Sequence, residues 1–262
     1  MDTEQITYLM NDPGTPELVK SVSVPVLTDA DPEFSVVGYE GGGFPLGTSQ
    51  AQAANVFYNI FSTIRLVNRF NPESPLKMWA KQQTLRVIPR AGKKLNASYN
   101  RRNLSFYYIT NYYGKDIYTA DSADIVSHEL GHAVLDAFRP DLWNIASLEI
   151  WAFHESFGDI LSMLSVMQHE EVIDYVLKQT DGDLRKQNIV AGVAEQLGKV
   201  MRGHHHGLRA ATNRFRYIAP ETLPRQGKED ELLSEPHNFS RVLTGAVYDV
   251  FVMMYESFLE QK

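Results

Sequence analysis

The sequence predicts an α+β protein: a β-rich amino-terminal lobe that also carries long helices, then a mainly α-helical carboxy-terminal lobe. Three observations predict it. Residues 1–50 set short apolar runs between closely spaced Pro and Gly, the pattern of short strands joined by turns. Residues 84–113 hold two further runs rich in branched and aromatic side chains, Leu85–Ile88 and Leu104–Ile109. Beyond Leu148, nearly every segment repeats its apolar residues at helical spacing. The change of pattern falls near residues 138–147, so the expected lobes are about 1–140 and 141–262.

In the first lobe, strands are expected within Val22–Leu27 and Phe34–Tyr39, ahead of Gly41-Gly42-Gly43. Thr48 or Ser49 offers an N-cap hydroxyl to a long helix, Ala51–Phe70, in which Val56, Ile60, Ile64 and Val67 share a face; Asn71-Pro72 ends it. Asp121 or Ser122 caps a second helix over about Ala123–Ala137, with Pro140 just past its end. The second lobe is expected to contain helices at about Leu148–Gln168, Glu170–Lys178, Ile189–Arg202 and Phe239–Glu260, the last capped by Asn238.

Composition narrows the function classes. The 262 residues include 25 Lys and Arg against 32 Asp and Glu, a net charge of -7, with 44% hydrophobic residues. That is the make-up of a folded globular chain and not of a disordered one. The acidic balance argues against a nucleic-acid partner, and the aromatics of Phe106–Tyr113 behind Arg101-Arg102 fit strand packing better. With no cysteine, disulfides, thiol catalysis and thiolate metal sites are excluded. No apolar run approaches the roughly 18 residues of a membrane helix, so no membrane association is expected. The start, Met1-Asp2-Thr3-Glu4-Gln5, lacks the basic and apolar regions of a signal peptide, which leaves a cytoplasmic location open.

The informative segment is His128-Glu129-Leu130-Gly131-His132, an H-E-x-x-H pattern on the second predicted helix. Residues four apart lie on one helix face, so both imidazoles can bind one metal ion, while Glu129 lies beside that face and can reach a water there. A catalytic zinc site takes three protein ligands. A third histidine six residues on is absent, because position 138 is Phe138. The following helix offers Glu155 and Asp159, again four apart. Glu155 can ligate the metal, and Asp159 can accept the free ring N–H of a ligating histidine, His128 first. The flanking Trp151, Phe153, Phe157, Ile160 and Leu161 suggest that this carboxylate pair is not on an exposed face. His154 is the rival third ligand, about 100° away around the helix.

With these motifs the chain resembles the catalytic domain of thermolysin-like (M4-type, gluzincin) zinc metallopeptidases. H-E-x-x-H-A-V followed by an E-x-x-x-D helix is that family's zinc signature. Ala54-Asn55-Val56-Phe57-Tyr58 resembles its long amino-terminal helix, Asn96-Ala97-Ser98-Tyr99 its substrate-binding stretch, Asp124-Ile125 the lead-in to the zinc motif, Leu208-Arg209 its Leu-Arg pair, and His237-Asn238-Phe239-Ser240 its H-x-x-S. The resemblance covers roughly residues 50–250. It implies an active-site cleft between the lobes and one zinc ion held by His128, His132 and Glu155. It also implies Glu129 as general base, His237 as transition-state donor, Asn96, Ala97 and Arg209 on the substrate backbone, and Ile125 and Leu208 lining a pocket for the residue after the cut. A peptide or protein substrate and secretion follow by the same resemblance.

Three departures accompany it. The family's oxyanion-assisting tyrosine has no counterpart, and Trp143 falls near its place. The acid that orients the late histidine is displaced: Leu232 stands at the expected spacing, with Glu231 and Glu235 nearby. Only 25 residues follow His237, so the second lobe is expected to be reduced or cut short. Calcium is possible through Asp124, Asp116, Glu170, Asp181 or Asp183, but Val166 stands where the family has an acid and no calcium site is expected. His204-His205-His206 fan out too widely to share one ion and read as a surface or cleft-rim loop. Two alternatives to an endopeptidase stay open: a gluzincin aminopeptidase, for which no G-x-M-E-N-like amine anchor is visible, and a metal-binding module without catalysis.

Overall fold

The structure, a computed structural model, describes residues 5–29, 31–42, 44–193, 209–228 and 230–261. It is mixed α+β. Strand β1 (Gln5–Leu9) pairs antiparallel with β2 (Val19–Ser23), and Ile6 and Tyr8 on its inner face are fully buried. They pack against α1 (Ser49–Phe70), whose first turn is capped as expected, the Thr48 hydroxyl accepting from the Ala51 N–H at 3.1 Å. Asn55 on α1 ties three elements together. Its Oδ1 accepts from the Leu9 N–H at 2.8 Å, and its Nδ2 donates to the Ala120 carbonyl at 3.1 Å.

A four-stranded sheet runs in the order β3 (Phe34–Val36), β4 (Leu85–Ile88), β6 (Asn103–Phe106), β5 (Ala97–Tyr99). The first three are parallel, and β5 is an antiparallel edge strand paired to β6, Ser98 opposite Ser105. Leu85, Val87, Leu104 and Phe106 point to one buried face at the two-residue period of a strand. A hairpin follows, β7 (Tyr108–Thr110) with β8 (Asp116–Tyr118). The run expected as one strand, Leu104–Ile109, breaks at Tyr107, whose N–H donates to the Thr119 hydroxyl instead of to a neighbouring strand. Likewise the strand expected within Val22–Leu27 ends at Ser23.

A 3₁₀ turn, Thr119–Asp121, leads into α2 (Ala123–Phe138); α3 (Leu148–Val166) and α4 (Glu170–Thr180) follow. Ser122 precedes α2, but its hydroxyl does not cap the helix. It lies between the buried carboxylates of Asp12, at 2.7 Å, and Asp124. The helix expected over Ile189–Arg202 is not formed at Ile189–Val193. There the Asn188 side chain accepts from Val190 and Ala191, both at 3.0 Å, and the chain enters β9 (Gly192–Val193), paired with β10 (Arg209–Ala210). The last expected helix is two: α5 (Pro236–Phe239), capped by Glu235 and containing Asn238, then α6 (Arg241–Glu260). By length and composition alone Pro236–Glu260 could cross a membrane, yet Thr244, Gly245, Tyr248 and Val252 are buried against the protein while Val250, Met253, Met254 and Phe258 are exposed.

One hydrophobic core runs from Ile6 to Val252 and takes residues from α1, α2, α3, α4 and α6, so it is continuous across residues 138–147. Two contacts lock its centre. Thr63 on α1, Ser127 on α2 and Ser165 on α3 are buried hydroxyls bonded to one another at 2.7–3.1 Å. Gly131 on α2 meets Gly158 on α3 backbone to backbone: a Cβ on Gly131 would stand 2.8 Å from the Gly158 Cα. At this crossing point no side chain fits between the two helices.

Near the start of α2, Asp121 accepts from the buried Gln52 side chain at 2.6 Å, and Gln52 in turn accepts from Arg90 Nε at 2.8 Å. Burial raises the Asp121 carboxyl above its ordinary range, only partly offset by the Gln52 hydrogen bond and the Arg90 charge. A raised acid favours folding most below its unfolded pKa, and that contribution is lost as pH rises through the folded pKa. Asp121→Asn keeps an acceptor for Gln52 and removes the ionisation. Urea midpoints measured from about pH 4 to about pH 7 should therefore show the variant gaining on the wild type as pH rises, then holding a constant lead.

Candidate metal centre

His128 and His132 project from one face of α2, their rings edge to face at 4.9 Å between centroids. With Glu129 they form a group whose ligand atoms all lie within 4.8 Å of one another, a group that can hold a metal ion. Glu155 on α3 reaches the same two rings: its Oε2 is 3.3 Å from His128 Nε2 and its Oε1 is 3.6 Å from His132 Nε2. Zinc bonds of about 2.0–2.1 Å in a tetrahedron put neighbouring ligand atoms about 3.3 Å apart. Two carboxylates are therefore available for the third position, and the Glu155 separations match those of a tetrahedral site. Two imidazoles and one carboxylate suit zinc in donor type as well as in spacing.

The glycine contact makes this possible. Because α2 and α3 touch at Gly131 and Gly158, Glu155 and Asp159, one turn apart on α3, reach His128 directly. Asp159, fully buried, places its Oδ1 2.9 Å from His128 Nδ1. That contact fixes the ring with Nε2 turned toward Glu155.

His237 approaches from α5. Its Nε2 is 3.5 Å from Glu155 Oε2, and its Nδ1 is 2.6 Å from Glu235 Oε1. The acid expected to be displaced is therefore present, two residues before the histidine. Glu235 also caps α5, accepting from the His237 and Asn238 N–H groups at 3.2 and 2.9 Å. Burial pushes the Glu235 carboxyl up, but the His237 hydrogen bond and charge and the two backbone donors outweigh it and hold it below the usual glutamate range.

His154, the rival ligand, turns away from Glu155. It is buried, its ring is 5.7 Å from Trp143 edge to face and 6.0 Å from His132, and its Nε2 has no hydrogen-bond partner among the described residues. Burial lowers its pKa, against the opposing charges of Asp136 and Glu155. Trp143 packs edge to face on Tyr99 at 5.6 Å and lies 5.2 Å from the Arg101 guanidinium. Arg101 in turn grips the fully buried Asp136 with two bonds, 2.7 and 3.0 Å, and the Tyr99 hydroxyl adds a third at 2.9 Å. Asp136 lies one turn beyond His132, so this network braces that end of the site. Sequence reading missed it; the available signal was the i, i+4 spacing of His132 and Asp136. Trp151 and Phe153, read as flanking a buried face, are 48% and 37% exposed.

Asn96 and Ala97 stand at the start of edge strand β5. With its amide oxygen and nitrogen exchanged, the Asn96 side chain accepts from Lys94 Nζ and donates to the Ala97 carbonyl, each at 3.1 Å. Ile125 is buried in the main core at the start of α2. Leu208, the side chain of Arg209 and His204–His206 lie outside the described residues.

Comparison with protein-family models and with curated proteins finds no match. Among solved structures, the precursor of protealysin, a metalloproteinase from Serratia proteamaculans, aligns with 90% of this chain and 72% of its own, at a TM-score of 0.47 and 15% identity. At that distance the functional reading rests on the residues themselves.

A Cβ on Gly158 would stand 2.7 Å from His128 Nδ1 and 3.0 Å from the His128 carbonyl oxygen. Gly158→Ala should therefore part His128 from Asp159. The expected result is zinc affinity lower by about 10–100-fold, the range for losing an outer-shell partner, measured by chelator competition. A stability loss of about 1–3 kcal/mol from overpacking should accompany it in urea denaturation.

Proposed function

We propose that the protein is a zinc-dependent endopeptidase. The observation that carries this reading is the convergence of His128, His132 and Glu155 at ligand spacing, with Glu129 beside them. Zinc bound there would supply a Lewis acid, which polarises a peptide carbonyl and makes water more acidic.

The chain's own groups divide the remaining work. Glu129 takes the proton from the attacking water and delivers it to the leaving amine. His237, with Glu235 against its Nδ1, presents Nε2–H to the oxyanion that develops on the carbonyl. Asp159 holds the His128 ring in orientation. Asn96 and Ala97, at the free edge of the sheet, bind an extended peptide backbone, and Arg209 does so from the second lobe. An apolar residue after the cut is the preferred substrate feature, with Leu208 against it; Ile125, buried in the core, does not take part. The substrate is a peptide or protein, and secretion follows from the family resemblance alone.

The test separates the metal from the base. Protein stripped with a chelator and reloaded with one equivalent of zinc should cut a mixed peptide library at internal bonds, read by mass spectrometry. Glu129→Gln should bind zinc as tightly as the wild type and cut about 10²–10⁴-fold more slowly. Cleavage that persists in this variant removes Glu129 as the base. Stoichiometric zinc with no cleavage by the wild type makes the chain a metal-binding module instead.

A further inference from the structure

We propose that His237 is a fourth ligand of the metal centre when no substrate is bound, so that the resting site is closed by its own chain. The proposal rests on the reading of His128, His132 and Glu155 as metal ligands. Its basis is a parallel between two histidines. His128 has Nδ1 on a carboxylate, Asp159 at 2.9 Å, and Nε2 3.3 Å from Glu155 Oε2. His237 has Nδ1 on a carboxylate, Glu235 at 2.6 Å, and Nε2 3.5 Å from the same Glu155 Oε2. A carboxylate on one ring nitrogen with the other nitrogen aimed inward is the arrangement typical of metal-bound histidine, and it raises the basicity of the inward nitrogen. The 3.5 Å separation falls within the spread of 3.3 to 3.6 Å that relates Glu155 to the two α2 histidines.

The position of His237 is built into the fold. The Ser156 hydroxyl, next in sequence to Glu155, donates to the Ser240 carbonyl at 2.8 Å and so pins the junction of α5 and α6 to α3. Glu235 fixes both the start of α5 and the ring of His237. The imidazole nevertheless stands at the rim, its side chain 57% exposed, where the His128 side chain is 7% exposed. It can leave the centre without disturbing the core.

Four protein ligands make a closed site, whereas a catalytic one keeps a position open. On this inference a substrate carbonyl enters by displacing His237; the released Nε2, exposed at the rim, takes a proton from solvent, and the imidazolium, still held by Glu235, then donates to the oxyanion. Closure and catalysis use the same side chain in turn.

Zinc and cobalt binding to the full chain test this without reference to activity. X-ray absorption of the zinc protein should count three imidazoles in the wild type and two in His237→Ala, and the cobalt absorption spectrum should change between them. Zinc affinity, by chelator competition, should fall by at least the 10–100-fold typical of a lost outer-shell partner in His237→Ala, and by less in Glu235→Gln. Circular dichroism checks folding, and His237→Asn replaces the alanine variant should that one not fold. An unchanged cobalt spectrum and unchanged affinity in a folded His237 variant overturn the fourth ligand and leave the three-ligand centre standing. A wild type that binds no metal, or binds it equally after His128→Ala, overturns the centre itself and this inference with it.

Discussion

The site depends on how closely α2 and α3 approach. At Gly131 and Gly158 the two helix backbones are in contact, and a methyl group at either position has no room. This spacing lets a carboxylate as short as aspartate bridge from α3 to a ring on α2, and it sets Glu155 opposite both α2 imidazoles. The buried hydroxyls of Thr63, Ser127 and Ser165 act one layer deeper, bonding α1, α2 and α3 to one another where a purely apolar contact would let them slide. Close approach sets distance, and the hydroxyls set register.

Around that frame two histidines, His128 and His237, are oriented by acids from different parts of the chain. Asp159 reaches His128 from inside the core, and Glu235 reaches His237 from the rim. His132 stands at the end braced by Asp136, Arg101 and Tyr99, with Trp143 and the buried His154 beside it. The Arg101–Asp136 pair is desolvated, and its cost is met by three hydrogen bonds to one carboxylate. Such a pair serves geometry more than stability.

Much of this was legible in the sequence, for local reasons. The H-E-x-x-H and E-x-x-x-D spacings carry their geometry with them, since residues four apart on a helix must share a face, and Thr48 announced the start of α1 through its hydroxyl. What escaped was set by distant partners. Ser122 looked like a helix cap, but its hydroxyl is taken by Asp12, more than a hundred residues earlier. Ile189–Val193 carried a helical pattern, but the Asn188 side chain bonds its backbone N–H groups and turns the chain. Glu235 was one of two nearby acids, with Glu231, and the sequence alone did not choose between them. A short helix that begins between Glu235 and His237 brings those two together. The glycine contact was invisible because nothing in either helix alone says where it will cross the other.

Among the described residues strand β5 pairs on one side only, with β6, and its Tyr99 hydroxyl bonds α2 through Asp136. A free edge of this kind can be completed only by a backbone whose own N–H and C=O groups are not already committed. A segment inside a helix or an interior strand of another protein cannot satisfy it. If peptides are cut beside this edge, native proteins would be attacked at a pace set by how often their segments unravel, and side-chain preference would act only on what local opening has already released.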